Sequence, residues 1–297
     1  MSGESTIEWT GVSWKTVAGC TAVGPGCTHC YATNLAARYR GRDRAKGITN
    51  GFWEDIVSVD ANGKRRHFSG KVKLMPDQLQ KPLKWKHPSA VFVNSEADTF
   101  HEKVPDKWIE AMFEVMNTPG REAWWFQLLT KRSERLRELG PSLPWADHIW
   151  VGVSVENADK LPRVDDLRAC GATGKWLSLE PLLGPLDDLD VKGIDWVVVG
   201  GESQNGGDPA RRLEEQWVRD IYAKCQQAGV PMFMKQWGQP KYNPLTIEGK
   251  TDPTLGNDHP DHAKGGCMVR RTDRSKPRVI REVPEAFRHF FTGSDDG

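Results

Sequence analysis

The sequence lacks a charge excess of either sign. Its 297 residues contain 41 Lys and Arg against 40 Asp and Glu, a net charge of +1. A protein that works mainly by coating phosphates usually carries a basic excess or a long basic run. Short basic stretches such as residues 64–66 are typical of solvated loops. Composition therefore does not point to a protein that simply coats nucleic acid.

Long hydrophobic runs are also missing. No stretch approaches the roughly 20 apolar residues of a membrane-spanning helix, and the polar residues 1–8 contain no apolar signal core. We therefore expect a cytoplasmic protein without membrane contacts. Cysteines are few, six in all, and in a reducing compartment clustered cysteines more often bind metal than form disulfides.

Short β-rich apolar runs alternate with helical segments from about Trp14 to Trp237. Nearly every residue of these runs is apolar, which is typical of parallel strands covered on both faces. Two weaker runs, near residues 13–17 and 71–74, precede six clear ones at residues 91–93, 125–129, 149–153, 176–179, 196–199 and 232–234. The pattern predicts an α/β fold with a TIM-like (β/α) barrel, full or partial.

The same pattern suggests how the chain is organised. We expect a barrel domain over residues 1–238, with an insertion at about 40–69 after a first helix that begins at Tyr31. Residues 239–297 predict an extended loop and a C-terminal segment packed on the barrel. Amphipathic helices are expected at residues 106–116 and 213–227. Thirteen tryptophans lie mostly in strands and amphipathic helices, which favours core packing over base stacking.

Three of the six cysteines lie close together in the sequence. Cys20, Cys27 and Cys30 are separated by gaps of six and two residues, with glycine and proline between them. Such a tight loop can turn three thiolates toward one point. The helix that follows places its N-terminus near the sulfurs and favours their negative charge.

Three thiolates are one ligand short of a closed four-thiolate site. An iron–sulfur cluster held by three thiolates keeps one iron open, as a catalytic cluster requires. Zinc is the alternative, with His29 or the distant Cys267 as fourth ligand, although adjacent residues such as His29 and Cys30 seldom converge on one tetrahedral metal. A third interpretation is that the three cysteines bind no metal.

Eight motifs follow one another between residue 6 and about residue 238. They are IEWT (7–10), GCTAVGPGCTHCYA (19–32), VFVNS (91–95), LTKR (129–132), VGVSVE (151–156), EPLLGP (180–185), VGGES (199–203) and KQWG (235–238). This series resembles the phage-associated three-cysteine family also called the gp-thirty-seven/sixty-eight type. That family is similar to radical S-adenosylmethionine (SAM) enzymes, from which it diverges.

The resemblance implies a 4Fe–4S cluster on Cys20, Cys27 and Cys30 and an enzyme that generates a radical from SAM. It also implies an external electron donor, an unknown substrate that is nucleic-acid- or nucleotide-related, and a separately encoded partner protein. His29 stands where these enzymes usually have an aromatic residue, so the resemblance places it against the adenine. The first cysteine gap, six residues instead of the usual three, departs from the radical SAM pattern.

Polar residues at the carboxyl ends of the strands are further candidates, because (β/α) barrels build their sites there. Acidic groups would bind the ribose or the amino group of SAM, and a lysine its carboxylate. The alternative is that several form helix caps or ion pairs, such as Lys131 or Arg132 with Glu156. Glu180 and Glu202 are favoured because each follows a buried run. The candidates are Asn94, Glu96, Lys131, Ser154, Glu180, Glu202 and Lys235.

A non-enzymatic function fits the same residues. In that interpretation the protein is a nucleic-acid-binding or partner-binding barrel, and a zinc ion or a cluster on the cysteines is only structural. The two hypotheses differ in metal content and in whether SAM is cleaved.

Overall fold

A computed structural model describes residues 7, 9–59, 66–203, 209–238, 268–269, 278–279 and 283–290. Its helices and strands, in chain order, are β1 (Val12–Trp14), β2 (Val17–Ala18), α1 (Tyr31–Ala45), β3 (Val57–Val59), β4 (Arg66–Phe68), β5 (Lys73–Leu74), α2 (Pro76–Leu79), β6 (Ala90–Val93), α3 (Asp106–Met116), β7 (Trp125–Thr130), α4 (Ser133–Leu139), β8 (Ile149–Ser154), α5 (Pro162–Arg168), β9 (Gly174–Leu179), β10 (Trp196–Gly200), α6 (Glu215–Ala228), β11 (Met232–Gln236), β12 (Met268–Val269) and β13 (Arg278–Val279).

Seven parallel strands form the central sheet in the order β1-β6-β7-β8-β9-β10-β11. Each strand lies beside the next sheet strand along the chain, as in a (β/α) barrel and unlike a doubly wound sheet, whose order reverses. Within the described residues β1 and β11 are the two edges of this sheet. The predicted α/β fold is therefore present as an open half-barrel, the partial form of the TIM-like barrel.

Two details of the sequence prediction are wrong. Residues 71–74 form no barrel strand, because β5 pairs antiparallel with β2 in a separate two-stranded sheet and β1 pairs directly with β6. The first helix, expected to end at about residue 40, does not end there either, because α1 runs on to Ala45. The segment after α1 contains the antiparallel pair β3–β4.

The concave face of the half-barrel is filled by tryptophan. Four of these side chains come from consecutive strands, and the N-terminal Trp9 packs among them, 5.0 Å from Trp176 between ring centroids. The neighbouring strands make room for the rings: a Cβ at Gly152 would lie 2.6 Å from the Trp176 ring. The buried tryptophans of this face are Trp9, Trp125, Trp150, Trp176 and Trp196. For these five, the prediction of core packing is confirmed.

Part of the C-terminal segment contacts the same face. The Phe287 ring stacks on Trp125, with 4.1 Å between centroids, and Val283 joins the cluster. The predicted extended loop and Cys267 lie outside the described residues. No helix in the described part of the chain has the length and apolar character needed to span a membrane.

Candidate functional site at the mouth of the half-barrel

The cysteine loop, residues 19–30, crosses the carboxyl ends of the parallel strands. Gly19, with φ of +89°, begins it with a parallel bridge to Ala97, after β6. Its φ lies in the left-handed region that favours glycine, and a Cβ there would be 2.0 Å from the Lys71 carbonyl oxygen. The loop ends at Cys30, which caps the N-terminus of α1. The cysteine loop therefore lies at the mouth of the half-barrel.

Cys20, Cys27 and Cys30 line one open cavity of about 640 Å³, which we call the cysteine cavity. Its volume lies in the range of small-molecule sites. Among the described residues, no three His, Cys, Asp or Glu side chains are grouped at metal-coordinating spacing. The three thiols thus share a cavity without meeting at one point, and a metal would have to draw them together.

Burial controls the protonation of these thiols. It raises the pKa of Cys20 to about 12; Asp98 adds to the effect and Arg132 opposes it. Burial also raises the pKa of Cys30, although the amides of Ala32 and Thr33 at the start of α1 act in the opposite direction. Both groups are protonated thiols at neutral pH, so a metal cation would displace their protons on binding. In type and number the three donors fit a cluster with three protein ligands.

Thr21, next to Cys20, is held from two sides. Arg132 Nη2 donates to the Thr21 carbonyl oxygen at 3.0 Å, and Nη1 lies 3.6 Å from Cys20 Sγ and 3.0 Å from Asp98 Oδ2. His101 Nε2 bonds Thr21 Oγ1 at 2.8 Å. Because a backbone amide donates to His101 Nδ1, Nε2 carries the proton. Burial, together with Arg132, lowers the pKa of His101 to about 4, so the ring is neutral.

The middle of the cysteine loop rests on a fully buried carboxylate, Glu156. A Cβ at Gly26 would lie 2.4 Å from Glu156 Oε1, so only glycine permits this approach. Arg163 Nη1 pairs with the other oxygen at 2.9 Å, while Lys131 Nζ lies 3.8 Å from Oε1 and donates to Ser154 Oγ at 2.9 Å. Lys131 therefore forms the ion pair with Glu156 that was the alternative to cofactor binding.

The end of the loop is tied to the strand end after β10. His29 Nδ1 lies 2.8 Å from Glu202 Oε2, and the Arg211 amide and Nε donate to the same oxygen at 2.9 and 3.0 Å. Arg211 Nη2 also donates to the Pro25 carbonyl oxygen at 2.8 Å. Burial alone would raise the pKa of Glu202, but the hydrogen bonds from Arg211 and His29 outweigh it and lower the pKa.

A second cavity of about 690 Å³, the inner cavity, lies next to the cysteine cavity. Cys30 and Tyr31 line both. On its far side Lys235 Nζ is 2.9 Å from Glu180 Oε1, and Ser178 Oγ lies 3.4 Å from the other oxygen of Glu180. The inner cavity thus holds an acidic and a basic group side by side, both predicted from strand-end position.

Asn94 and Glu96 differ in how their polar atoms are used. Asn94 Oδ1 accepts the Thr16 and Val17 amides at 2.8 and 3.1 Å and Nδ2 donates to a threonine hydroxyl, so its amide holds the β1–β2 turn. Glu96 Oε1 is ion-paired with Lys15. Its other oxygen, Oε2, is buried without a hydrogen-bond partner among the described residues.

The structure brings most predicted residues to the two cavities. Asn94, Glu96, Lys131 and Ser154 line the cysteine cavity, and His29, Glu180, Glu202 and Lys235 line the inner one. Sequence reasoning missed the cations that pair with the acidic groups and the neutral histidine beside Cys20. Arg163 lies only seven residues after its partner Glu156, but Glu156 precedes the helix that carries Arg163, so helical spacing did not predict the pair. The missed residues are Lys15, His101, Arg163 and Arg211.

Neither a curated protein nor a solved structure shows significant similarity to the chain. A family model does match. It covers residues 4–282 and is described as "Protein of unknown function (DUF5131)". Because the match spans most of the chain, this protein belongs to that family.

Proposed function

We propose that this protein binds a 4Fe–4S cluster through Cys20, Cys27 and Cys30 and that it is an enzyme resembling radical SAM enzymes. The observation that carries the proposal is that all three thiols line one cavity at the carboxyl ends of parallel strands. That end of a (β/α) barrel is where such folds carry their active sites. A phage-associated family and a separately encoded partner protein remain expectations from the resemblance.

The residues around the cysteines suit this role in three ways. Arg132 and His101 fix the chain beside Cys20, and Glu202 fixes it beside Cys30 through His29. The start of α1 presents amides to Cys30, and hydrogen bonds to sulfur are one means by which proteins tune a cluster. The Glu156 carboxylate packs against the loop at Gly26. Because it is not a cysteine, the number of thiolates at the site stays at three.

When bound, the cluster supplies an electron, received from an external donor, that cleaves SAM into methionine and a deoxyadenosyl radical. The inner cavity is the proposed SAM site, because it adjoins Cys30. Lys235 is placed to bind a carboxylate, and Glu180 to bind an amino group or ribose hydroxyls. These two residues are ion-paired with each other, so SAM would have to separate them or bridge them. His29 is already bonded to Glu202, which limits how far its ring can turn toward an adenine.

Metal analysis of anaerobically purified protein tests the proposal. We expect about four irons per chain and thiolate-to-iron absorption, and loss of both in Cys27→Ser with the far-UV circular dichroism unchanged. Cys225 lies on the buried face of α6. The variant Cys225→Ala is the control and should keep its iron. Reduced protein mixed with SAM should release deoxyadenosine.

Other outcomes decide between the alternatives. Colourless protein with one zinc per chain would overturn the cluster and favour the structural-zinc barrel. Four irons without deoxyadenosine would retain the cluster and overturn SAM cleavage. Equal iron loss in Cys27→Ser and Cys225→Ala would show that the effect is one of folding.

A further inference from the structure

Positive charge is concentrated in one part of the chain. Residues 31–74 contain ten Lys and Arg but four Asp and Glu, a net charge of +6, whereas the whole chain has +1. The rest of the chain is therefore net negative, at −5. The described part of this segment consists of α1, the β3–β4 hairpin and β5, and we call it the basic lobe. The near-neutral net charge of the whole chain therefore results from a basic segment and an acidic remainder whose charges nearly cancel.

The charges on α1 are not explained by helix stability. Arg38, Arg40, Arg42, Arg44 and Lys46 form three like-charged pairs at a spacing of four residues. Each such pair destabilises a helix by about 0.2–0.5 kcal/mol. Attraction to the helix dipole accounts for cations in the last turn but not for those further back. This arrangement of cations lowers the stability of α1. An anionic partner bound to these side chains would offset the repulsion between them.

Acidic residues within the basic lobe form ion pairs with only some of its Lys and Arg side chains. Glu54 pairs with Arg44, and Asp55 pairs with Lys71 and Lys73. By contrast, the exposed side chains of Arg38, Arg42 and Lys46 form no ion pair with any described residue. These three cations, on one helix, are available to a ligand from solution.

Aromatic rings lie among the cations of the lobe. Phe52 is 36% exposed, with Lys73 Nζ 5.2 Å from its ring centroid, and the Arg42 guanidinium lies 4.9 Å from the centroid of Tyr39. Accessible rings beside cations, here the exposed Phe52 and the half-buried Tyr39, are the combination that binds single-stranded nucleic acid, since bases stack on rings while cations follow the phosphates. An acidic protein would use the cations but would have no general need for the rings.

The basic lobe is continuous with the candidate site. Its helix α1 begins next to Cys30, and Phe68 of β4 lines the cysteine cavity. A strand bound along α1 would therefore run toward the mouth of the half-barrel. We infer that the basic lobe binds single-stranded nucleic acid and delivers it to the mouth. The inference stands on charge and geometry and does not require the cluster.

Binding of a fluorescent single-stranded DNA 20-mer to the full chain tests this inference. With about four phosphate contacts, the dissociation constant should rise about 50-fold between 50 and 200 mM salt. The triple variant Arg38→Gln/Arg42→Gln/Lys46→Gln should lower the slope of log affinity against log salt by about 2, because each lost phosphate contact removes about 0.7. All three side chains are exposed, so the fold should persist.

The matched control is Lys84→Gln/Lys86→Gln/Lys192→Gln. It makes the same charge change at exposed positions that precede β6 and β10, at the opposite end of the sheet, and should keep the wild-type slope. Equal loss in both triple variants would overturn the assignment of the surface.

Three further measurements fix the ligand. Phe52→Ala should weaken single-strand binding at least about fivefold, and unchanged binding would overturn the stacking contribution. Displacement by polyglutamate as effective as by DNA of equal charge would overturn nucleic acid in favour of an acidic protein, and preference for duplex DNA would overturn the single strand. Cys27→Ser should bind DNA normally, so failure of the cluster and failure of this inference are distinguishable.

Discussion

Glu202→Gln should loosen the cysteine loop and lower the stability of the whole protein. Glu202 is 3% exposed and accepts bonds from Arg211 and His29. The amide keeps the shape of the side chain but removes its charge and turns an N–H toward one of these donors. Removing one partner of a fully buried ion pair costs about 3–5 kcal/mol. Because the Arg211 side chain is 35% exposed, water compensates in part, and we expect about 2–3 kcal/mol.

The assay is urea denaturation at pH 7, together with the rate at which thiols react with a disulfide reagent. The reactivity of the loop cysteines should increase, since Arg211 and His29 no longer hold Pro25 and the chain before Cys30. Glu214→Gln is the control, because Glu214 pairs with Arg212 at 3.3 Å with both side chains largely exposed. Such a surface pair contributes less than about 1 kcal/mol.

The effect of Glu202→Gln on stability should also depend on pH. The pKa of Glu202 is lower in the folded protein than in the unfolded chain, where it is about 4.3. Its contribution is therefore complete above that unfolded value and is lost as the pH falls through the lower folded pKa. The stability difference between wild type and variant should shrink as the pH falls below about 4. A difference that stays constant down to pH 3, or one equal to that of Glu214→Gln at pH 7, would refute the reasoning.

Three other substitutions test the packing of the cysteine loop, of α1 and of the tryptophan-rich face. Gly26→Ala should destabilise by about 1–3 kcal/mol and reduce iron content, because its Cβ would meet Glu156; Gly41→Ala, exposed in the interior of α1 with nothing within 4 Å, should instead stabilise by about 0.5–1 kcal/mol. Equal effects in urea denaturation would contradict both. Phe287→Ala should cost about 3 kcal/mol and change tryptophan fluorescence, because it removes the ring stacked on Trp125; an unchanged emission spectrum would show that this stacking is absent in solution.

Much of the fold was predictable because it is encoded locally. Strands β6 to β11 are short runs in which nearly every residue is apolar, and α3 begins and ends as its period predicts. The cysteine loop, with its glycines, was also visible as one contiguous segment. The errors arose where local signals were weak: β5 is two residues long and half-buried, and the insertion expected from about residue 40 overlaps a helix that continues to Ala45.

The seven polar residues expected at strand ends line the two cavities, since the parallel order of the strands places their carboxyl ends together. Strand-end position did not reveal which of these side chains already form ion pairs within the protein. Glu202 with Arg211, Glu156 with Arg163 and Glu180 with Lys235 were found only in the structure. Asn94 proved to hold a turn, because its amide meets backbone groups 78 and 77 residues away in sequence.

The sequence by itself determined the six clear strands, the amphipathic helices α3 and α6, the tryptophan-rich core and the cysteine loop, because hydrophobic period and turn chemistry act over a few neighbouring residues. Only the tertiary structure decided that β1 and β11 are the edges of the sheet within the described residues, that the three thiols share one cavity, and which cation neutralises each buried carboxylate. Such pairings depend on distances between residues far apart in the chain. No local pattern encodes those distances, and burial makes each pairing energetically important.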